Sequence, residues 1–509
     1  MAAPLIRSIV LTGFMGAGKT TLARALAESL GVPWSDSDQH VEESAGRTVA
    51  EIFSSDGEEQ FRRLESTAVM ELLGREPHVV ALGGGALSDP TVREALEAHL
   101  VVLVDVSLKL AWERVEGSGR PLAAQPEAFE ELYRARRPLY LLTADAIVPA
   151  AGVDPAALAA GLQWLGAQPG PAPWLLWAVA GSDQYPCWVG DGALGQAPWP
   201  AEGGRRIVVS DSTVAELYGG LVPESAGLIE VSPGEESKTL ETAELVWKAL
   251  AEQQVTRADT VVALGGGVVG DLAGFCAAGY QRGVGVVQVP TTLVAQVDSA
   301  YGGKTGVDLP AAKNYVGAYH QPSSVITDTA LLATLPPEEL AAGQAEVIKT
   351  ALIAGGDLWA RVAAGEPLDA RMVRDCAWTK ISIVGEDERD SGRRQVLNLG
   401  HTVGHAIEAV TGYTQLRHGE AVGLGLLAIL RCSGAAQLRE EVSGLLDAAG
   451  LPVTWPGLDV DEVISATQLD KKRTAAEVPF VLCEAPGEVT PGCPVDPAVL
   501  HAAVSEIAG

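Results

Sequence analysis

The sequence predicts an α/β protein in three parts: a P-loop domain, a Rossmann-like α/β nucleotide-binding domain and a mainly α-helical domain. Three observations carry that prediction. The apolar, β-branched run Ser8 to Thr12 leads into Gly13-Phe14-Met15-Gly16-Ala17-Gly18-Lys19-Thr20, followed by a helical pattern at Leu22, Ala25, Leu26 and Leu30. A second apolar run, Val261 to Leu264, leads into Gly265-Gly266-Gly267-Val268-Val269-Gly270-Asp271. After Thr329 the composition turns alanine-rich and helical. A length of 509 residues also gives three domains at about 150 residues each.

The expected divisions are 1–165, a linker over 166–173, then 174–329 and 330–509. The linker, Gly166-Ala167-Gln168-Pro169-Gly170-Pro171-Ala172-Pro173, has no periodicity and is rich in turn formers. A formal charge of -29 and a pI of about 4.6 weigh against nucleic-acid and anionic-membrane partners, because a phosphate surface repels such a chain on average. Small anions still bind where cations are gathered locally. Of the ten lysines, only Lys109 and Lys248 fall outside candidate motifs. The six cysteines form no C-x-x-C pair, so neither a disulfide framework nor a thiolate zinc site is expected. No apolar run approaches the ~18 residues of a spanning helix. The expected location is the cytoplasm.

In the P-loop, the glycines let backbone N–H groups close on phosphates. Lys19 reaches the outer phosphates, and Thr20 places a hydroxyl on Mg²⁺. Trp34-Ser35-Asp36-Ser37-Asp38 then sets two carboxylates at the end of a second strand, one for the Mg²⁺ water shell and one for an acceptor hydroxyl. Phe61-Arg62 is read as the start of a helix. Gly83-Gly84-Gly85 ends a further strand with a backbone that a ligand can approach closely. Arg120 and Arg136 add guanidinium forks for phosphate or carboxylate.

Together these residues resemble shikimate kinase over about residues 5–165. The resemblance implies a P-loop kinase domain using ATP with Mg²⁺. Gly13, Gly16, Gly18, Lys19 and Thr20 would hold the nucleotide, and Thr20 and Asp36 the Mg²⁺. Asp38 would contact the shikimate hydroxyls and help deprotonate the attacking one. Arg62 and Arg136 would clamp the substrate carboxylate, Gly83 to Gly85 would line its pocket, and Arg120 would come down from a lid.

In the second part, Gly265-Gly266-Gly267 and Gly270 satisfy G-x-G-x-x-G, a weak signal alone in a chain with 57 glycines. The acidic residue about twenty positions on is missing. Asp211, at the end of an earlier strand, is the alternative ribose partner. Pro233-Gly234-Glu235-Glu236-Ser237-Lys238 is a charged loop suited to ribose or pyrophosphate. A dense polar run follows, with Arg282, Thr291, Thr292, Asp298, Lys304, Lys313 and Asn314. Three cations separated by glycines suit a substrate carrying phosphate and carboxylate.

In the third part, His401 and His405 are four apart and share a helical face. His418 follows a Thr411-Gly412 break and can fold back towards them. Glu346, three before Lys349, completes a Glu/His/His set with an open position, as catalytic zinc sites keep. Spacing alone lets both His401 and His405 bind metal. Lys380, Arg394 and Asn398 lie just ahead, and Lys471 and Lys472 follow late in the chain.

From about residue 174 onward these motifs, in this order, resemble 3-dehydroquinate synthase. The resemblance implies a Rossmann-like α/β NAD-binding domain plus a mainly α-helical metal-binding domain, with NAD and Zn²⁺ or another divalent metal such as Co²⁺. Glu346, His401 and His418 would be the metal ligands. Asp211, Glu235, Lys238, Gly265 to Gly267, Asp271, Thr291, Thr292 and Lys313 would serve NAD. Arg282, Asp298, Lys304, Lys313, Asn314, Lys349, Lys380, Arg394, Asn398, His405 and one of Lys471 and Lys472 would surround 3-deoxy-D-arabino-heptulosonate 7-phosphate. Among these, Lys304, Lys349, Arg394, Asn398 and His405 are the expected catalytic groups. The family commonly has Glu where this chain has Asp390, so a weaker contact to Arg394 or a neighbouring lysine is expected. A homodimer through this half is also implied. A metal-dependent polyol dehydrogenase is the alternative reading of the second half. The two implied reactions are non-consecutive steps of one pathway, so channelling between the halves is not expected.

Overall fold

The computed structural model describes residues 4–117, 125–200, 204–310, 312–468 and 479–509. By contacts the chain divides into two compact units. The first comprises Met1–Val179, Gln184–Trp188 and Gln196–Trp199, and the second Ala180–Asp183, Val189–Gly195 and Pro200–Gly509.

In the first unit, strands β1 (Ile9–Thr12), β2 (Trp34–Asp36), β3 (Val79–Ala81), β4 (Leu100–Asp105), β5 (Ala146–Pro149) and β6 (Trp174–Ala180) stand in the order β2-β3-β1-β4-β5-β6. Neighbours are parallel. A parallel sheet covered on both faces needs strands that are apolar throughout, and β1 and β3 are buried at every residue. The loop after β1 turns on Gly13, at φ 139°, where a Cβ would stand 2.5 Å from the Val104 carbonyl oxygen. The helix Lys19–Leu30 follows it. The helix Val49–Leu73 starts in a Thr48/Glu51 capping box and is kinked at Gly57. Gly57, at φ 84° and ψ 170°, is non-helical and divides this stretch into two helices, so Phe61 and Arg62 lie near the start of the second one, as the sequence predicts.

The sequence places the start of the second domain at Trp174. The strand there, β6, pairs with β5, Ala146 opposite Leu175 and Ile147 opposite Leu176, and the division by contacts falls after Val179. The Trp188 ring, on β7 (Asp183–Gly190), is buried edge to face on Trp164 at 5.1 Å. A Pro/Gly break shows where periodicity stops; it does not say which sheet the next strand joins.

In the second unit, β8 (Arg206–Asp211), β9 (Ser225–Val231), β10 (Thr260–Gly265) and β11 (Gly285–Pro290) are followed by an antiparallel hairpin, β12 (Lys304–Leu309) and β13 (Ala312–Tyr319), and by β14 (Ser324–Asp328). The parallel order is β14-β11-β10-β8-β9. Ile207, Val209, Val261, Ala263 and Val286 pack with Leu272 and Ala273 of the helix Gly267–Gly279. The residues read as two domains, 174–329 and 330–509, fall for the most part into one unit by contacts. The helix Ala370–Glu386 packs on the turn Ala295–Ser299, and Asp298 in that turn pairs with lysines of the helical part.

The helices Pro337–Ala354, His401–Val410 and His418–Cys432 approach closely enough that backbone meets backbone. A Cβ on Gly419 would overlap the Ala342 carbonyl, and one on Gly425 the Gly400 carbonyl. That approach carries Glu346, His401 and His418 to one place. Among the described residues no helix is long and apolar enough to cross a membrane.

Candidate active sites

In the first unit, the Lys19 ammonium donates to the carbonyls of Gly13 at 2.8 Å and Phe14 at 3.1 Å, at the mouth of the loop. The Thr20 hydroxyl donates to Asp36 Oδ2 at 2.7 Å. Asp36 Oδ1 caps the helix Ser37–Ala45 by accepting from the Asp38 and Gln39 N–H groups. This sets Asp38 in the first turn, where the helix dipole favours its charge. A hydroxyl and a carboxylate beside a phosphate-binding loop fit Mg²⁺, which takes few protein ligands and keeps water. Arg114 also reaches the loop, donating to the Gly16 carbonyl at 2.8 Å.

Next to the loop lies a second polar pocket. Arg62 donates to Glu65 Oε2 at 2.6 Å and Glu58 Oε1 at 3.0 Å. The buried Arg136 donates to the Gly84 carbonyl at 3.2 Å, and the Tyr140 hydroxyl to the same oxygen at 2.5 Å. Burial pushes the Tyr140 hydroxyl up to about 12, so it stays a donor. Gly83 faces Asp38 and Glu65, and Gly85 faces Arg62. A side chain at either position would fill the space against those groups. Asp38, Arg62, Arg136 and the three glycines therefore share one pocket. Glu65, 2% exposed, belongs to it and was not found from sequence. Burial pushes its carboxyl up against the pull of the Arg62 charge.

In the second unit, Glu346 Oε1 stands 3.5 Å from His401 Nε2 and 3.4 Å from His418 Nε2. The three side chains present ligand atoms within 4.8 Å of one another. Glu346 is 1% exposed, and Oε1 has no hydrogen-bond donor. A buried, unpaired carboxylate oxygen between two imidazole nitrogens is costly unless a cation is shared, and two His with one Glu is a zinc donor set. His401 Nδ1 faces the Leu399 carbonyl at 3.1 Å. Burial and the Lys349 charge hold this ring well below its usual range, hence neutral and able to coordinate. His405 is exposed, its ring centroid 5.3 Å from that of His401 and 6.0 Å from that of His418.

Cations surround this cluster. Lys349, fully buried, lies 2.5 Å from Glu346 Oε2 and 2.7 Å from Asp298 Oδ2, while Lys380 pairs with Asp298 Oδ1. Burial would raise the Asp298 carboxyl, but the two lysines outweigh it and hold it well below the usual range. Lys304 lies 2.6 Å from Asp390 Oδ2. Arg394, 1% exposed, donates to the Glu388 and Gly302 carbonyls. Asn398 donates to the Gln395 carbonyl at 2.9 Å. Lys313 lies 3.3 Å from Glu408 and stacks over the Tyr413 ring at 4.6 Å.

The dinucleotide motif stands where β10 turns into the helix Gly267–Gly279. A Cβ on Gly266 would come within 2.9 Å of Thr292, and one on Gly267 within 3.1 Å of Ser299. Thr291 is buried, and its hydroxyl has no partner. Open glycine backbone, a helix N-terminus and an unpaired hydroxyl fit a pyrophosphate. Lys238 lies 2.8 Å from Asp271 and 3.5 Å from Glu235. Asp211 ends β8 and caps the next helix through Val214 N at 3.0 Å. Asn314 donates its N–H to Asp308 at 2.6 Å, in a left-handed backbone.

Within one chain, one expected residue lies away from the site. Arg282 is exposed and precedes β11, whereas Thr291 and Thr292 follow it. The helix after β10 runs back along the sheet, so Arg282 emerges at the opposite edge, about 20 Å away at ~3.3 Å per residue. Density of polar residues along a sequence does not distinguish the two ends of a strand. Arg120, Lys471 and Lys472 lie outside the described residues.

Residues 15–163 match the shikimate kinase family, 228–342 the 3-dehydroquinate synthase N-terminal family and 343–473 its C-terminal counterpart. A 3-dehydroquinate synthase of Halorhodospira halophila is 44% identical over 330 residues, covering 61% of this chain and 93% of that one. The 2-epi-5-epi-valiolone synthase of Streptomyces hygroscopicus, solved with NAD+ and Zn2+ bound, is 26% identical at a TM-score of 0.58, covering 64% of this chain and 96% of that one. A shikimate kinase of Acinetobacter baumannii solved with shikimate is 35% identical, covering 31% of this chain and 92% of that one, at a TM-score of 0.30. These matches do not favour the polyol dehydrogenase reading.

Proposed function

The chain belongs to the 3-dehydroquinate synthase family and carries a shikimate kinase domain ahead of it, and we propose that the two pockets described above are its two active sites. The whole is a bifunctional enzyme of the shikimate pathway. The first pocket transfers the outer phosphoryl group of ATP to shikimate. The second converts 3-deoxy-D-arabino-heptulosonate 7-phosphate to 3-dehydroquinate and phosphate.

In the kinase pocket the Lys19 ammonium and the loop N–H groups hold the phosphates, and Thr20 with Asp36 holds Mg²⁺. Arg62 and Arg136 take the shikimate carboxylate in forked geometry. Asp38, held in the first turn of its helix, accepts a hydroxyl hydrogen bond and draws off its proton as the oxygen attacks. Arg114, against the outside of the loop, joins the nucleotide side.

In the synthase pocket Glu346, His401 and His418 hold the metal, zinc or cobalt, and the glycine turn with Thr291, Glu235, Lys238 and Asp271 holds NAD. Bound there, NAD supplies a reversible hydride acceptor and the metal a Lewis acid for the substrate alcohol. Lys304, Arg394 and Asn398 hold phosphate and carboxylate, and with Lys349 and Lys380 they offset enolate charge. His405, exposed beside the metal ligands, is placed to contact the phosphate and move its proton. The observation that carries this reading is the Glu346 oxygen facing both imidazoles with no donor of its own.

The reading further places the enzyme in the cytoplasm, as a homodimer through the synthase half. The test is a pair of assays on one preparation. The full chain should release phosphate from the heptulosonate without net NADH, and phosphorylate shikimate with ATP. Lys19→Ala should abolish only the second activity. Net NADH accumulation with substrate consumed would sink the synthase assignment.

A further inference from the structure

Glu408 lies on the helix His401–Val410, is 3% exposed and belongs to none of the motifs above. Its two oxygens face different groups. Oε2 stands 3.6 Å from His418 Nδ1, and Oε1 stands 3.3 Å from the Lys313 ammonium. His418 turns its other nitrogen, Nε2, to Glu346. An imidazole binds metal through one nitrogen with its tautomer and plane fixed by what the other nitrogen meets. For His401 that second partner is the Leu399 carbonyl.

We infer that Glu408 is the positioning residue of the metal centre: its carboxylate, 3.6 Å from His418 Nδ1, favours the proton on that nitrogen and so leaves the Nε2 lone pair for the metal. The inference rests on the proposed ligand set Glu346, His401 and His418. Glu408 could itself be thought a ligand, because its ligand atoms also lie within 4.8 Å of those of His405 and His418. Two features weigh against that. His405 is exposed, and the Lys313 ammonium against Oε1 would repel a divalent ion there. Lys313, held between Glu408 and the Tyr413 ring, neutralises the carboxylate as a cation ligand and leaves it able to accept a hydrogen bond.

The test is zinc affinity of the full-length chain, measured by competition with a chelator, with shikimate kinase activity as an internal control. Glu408→Ala should weaken zinc binding about 10- to 100-fold. Glu408→Gln keeps the shape and an amide oxygen to face Nδ1, so it should lose clearly less. Kinase activity should be unchanged in both. Equal loss in the two variants, or none in either while His401→Ala loses zinc, overturns the positioning role and leaves the ligand set standing. Unaltered zinc binding in His401→Ala overturns the ligand set itself. Two zinc ions per native chain, one of them lost in Glu408→Ala, would make Glu408 a ligand and overturn the inference.

Discussion

Asp390 holds the Lys304 ammonium at 2.6 Å from a left-handed backbone, φ 60°. The sequence predicts a weakened contact at this position, because the family commonly carries the longer Glu. The contact to lysine is nevertheless made. Asp is among the few residues that enter the left-handed region readily, and that turn brings the shorter arm round to Lys304. Asp390→Asn should keep the turn and remove the charge. Lys304 is half exposed, so the pair is worth at most about 1 kcal/mol. The expected result is a rise of up to about fivefold in KM for the heptulosonate substrate, with shikimate kinase kinetics unchanged. An unaltered KM would remove Asp390 from the substrate site.

His401 and His405 share a helical face, and spacing alone allows both to coordinate. Their surroundings divide them. His401 turns Nε2 to Glu346 and is half-buried, while His405 is exposed. His401→Ala should therefore lose the metal, and His405→Ala should retain it and turn over slowly. Metal content per chain, measured on both variants after dialysis, separates the two roles. Loss of metal in His405→Ala would make it a ligand.

Gly419 allows the helix bearing His418 to touch the helix bearing Glu346. A methyl group there meets the Ala342 carbonyl, a backbone atom that no rotamer change can move away. Gly419→Ala should destabilise the synthase unit by about 1–3 kcal/mol, the usual range for overpacking, and should lower metal affinity by separating the ligands. Calorimetry and metal content are the readouts. A variant with native metal affinity would show that the ligands do not depend on this contact.

The sites were legible where chemistry is local in the chain. The P-loop, Asp36 and Asp38, the three glycines from Gly83 and the histidines each announce themselves within a few residues, because a turn or one helical face sets their geometry. What was not legible depends on distant pairing. Glu65 and Glu408 are single carboxylates without a motif, and only packing shows whom they face. Arg282 was grouped with Thr291 by nearness in sequence, though six residues of strand carry it to the other edge. The strand from Trp174 joins β5 through a pairing that no local pattern encodes.

Glu65 offers the clearest test of the kinase pocket. Arg62 has two carboxylate partners, the exposed Glu58 and the buried Glu65. Glu65 also reaches the space by Gly83 where Asp38 points. With both acids charged, the guanidinium is fixed from two sides and its remaining edge faces the pocket. Glu65→Gln removes one charge without changing volume and leaves Arg62 free to follow Glu58 toward solvent. A hydrogen bond between charged groups is worth about 1.5–3 kcal/mol, and only part of that is recovered at Glu58. The KM for shikimate should therefore rise about tenfold, the effect of 1.4 kcal/mol, while the KM for ATP stays as it was. Equal rises in both would mean that the substitution disturbs the whole pocket rather than the carboxylate clamp.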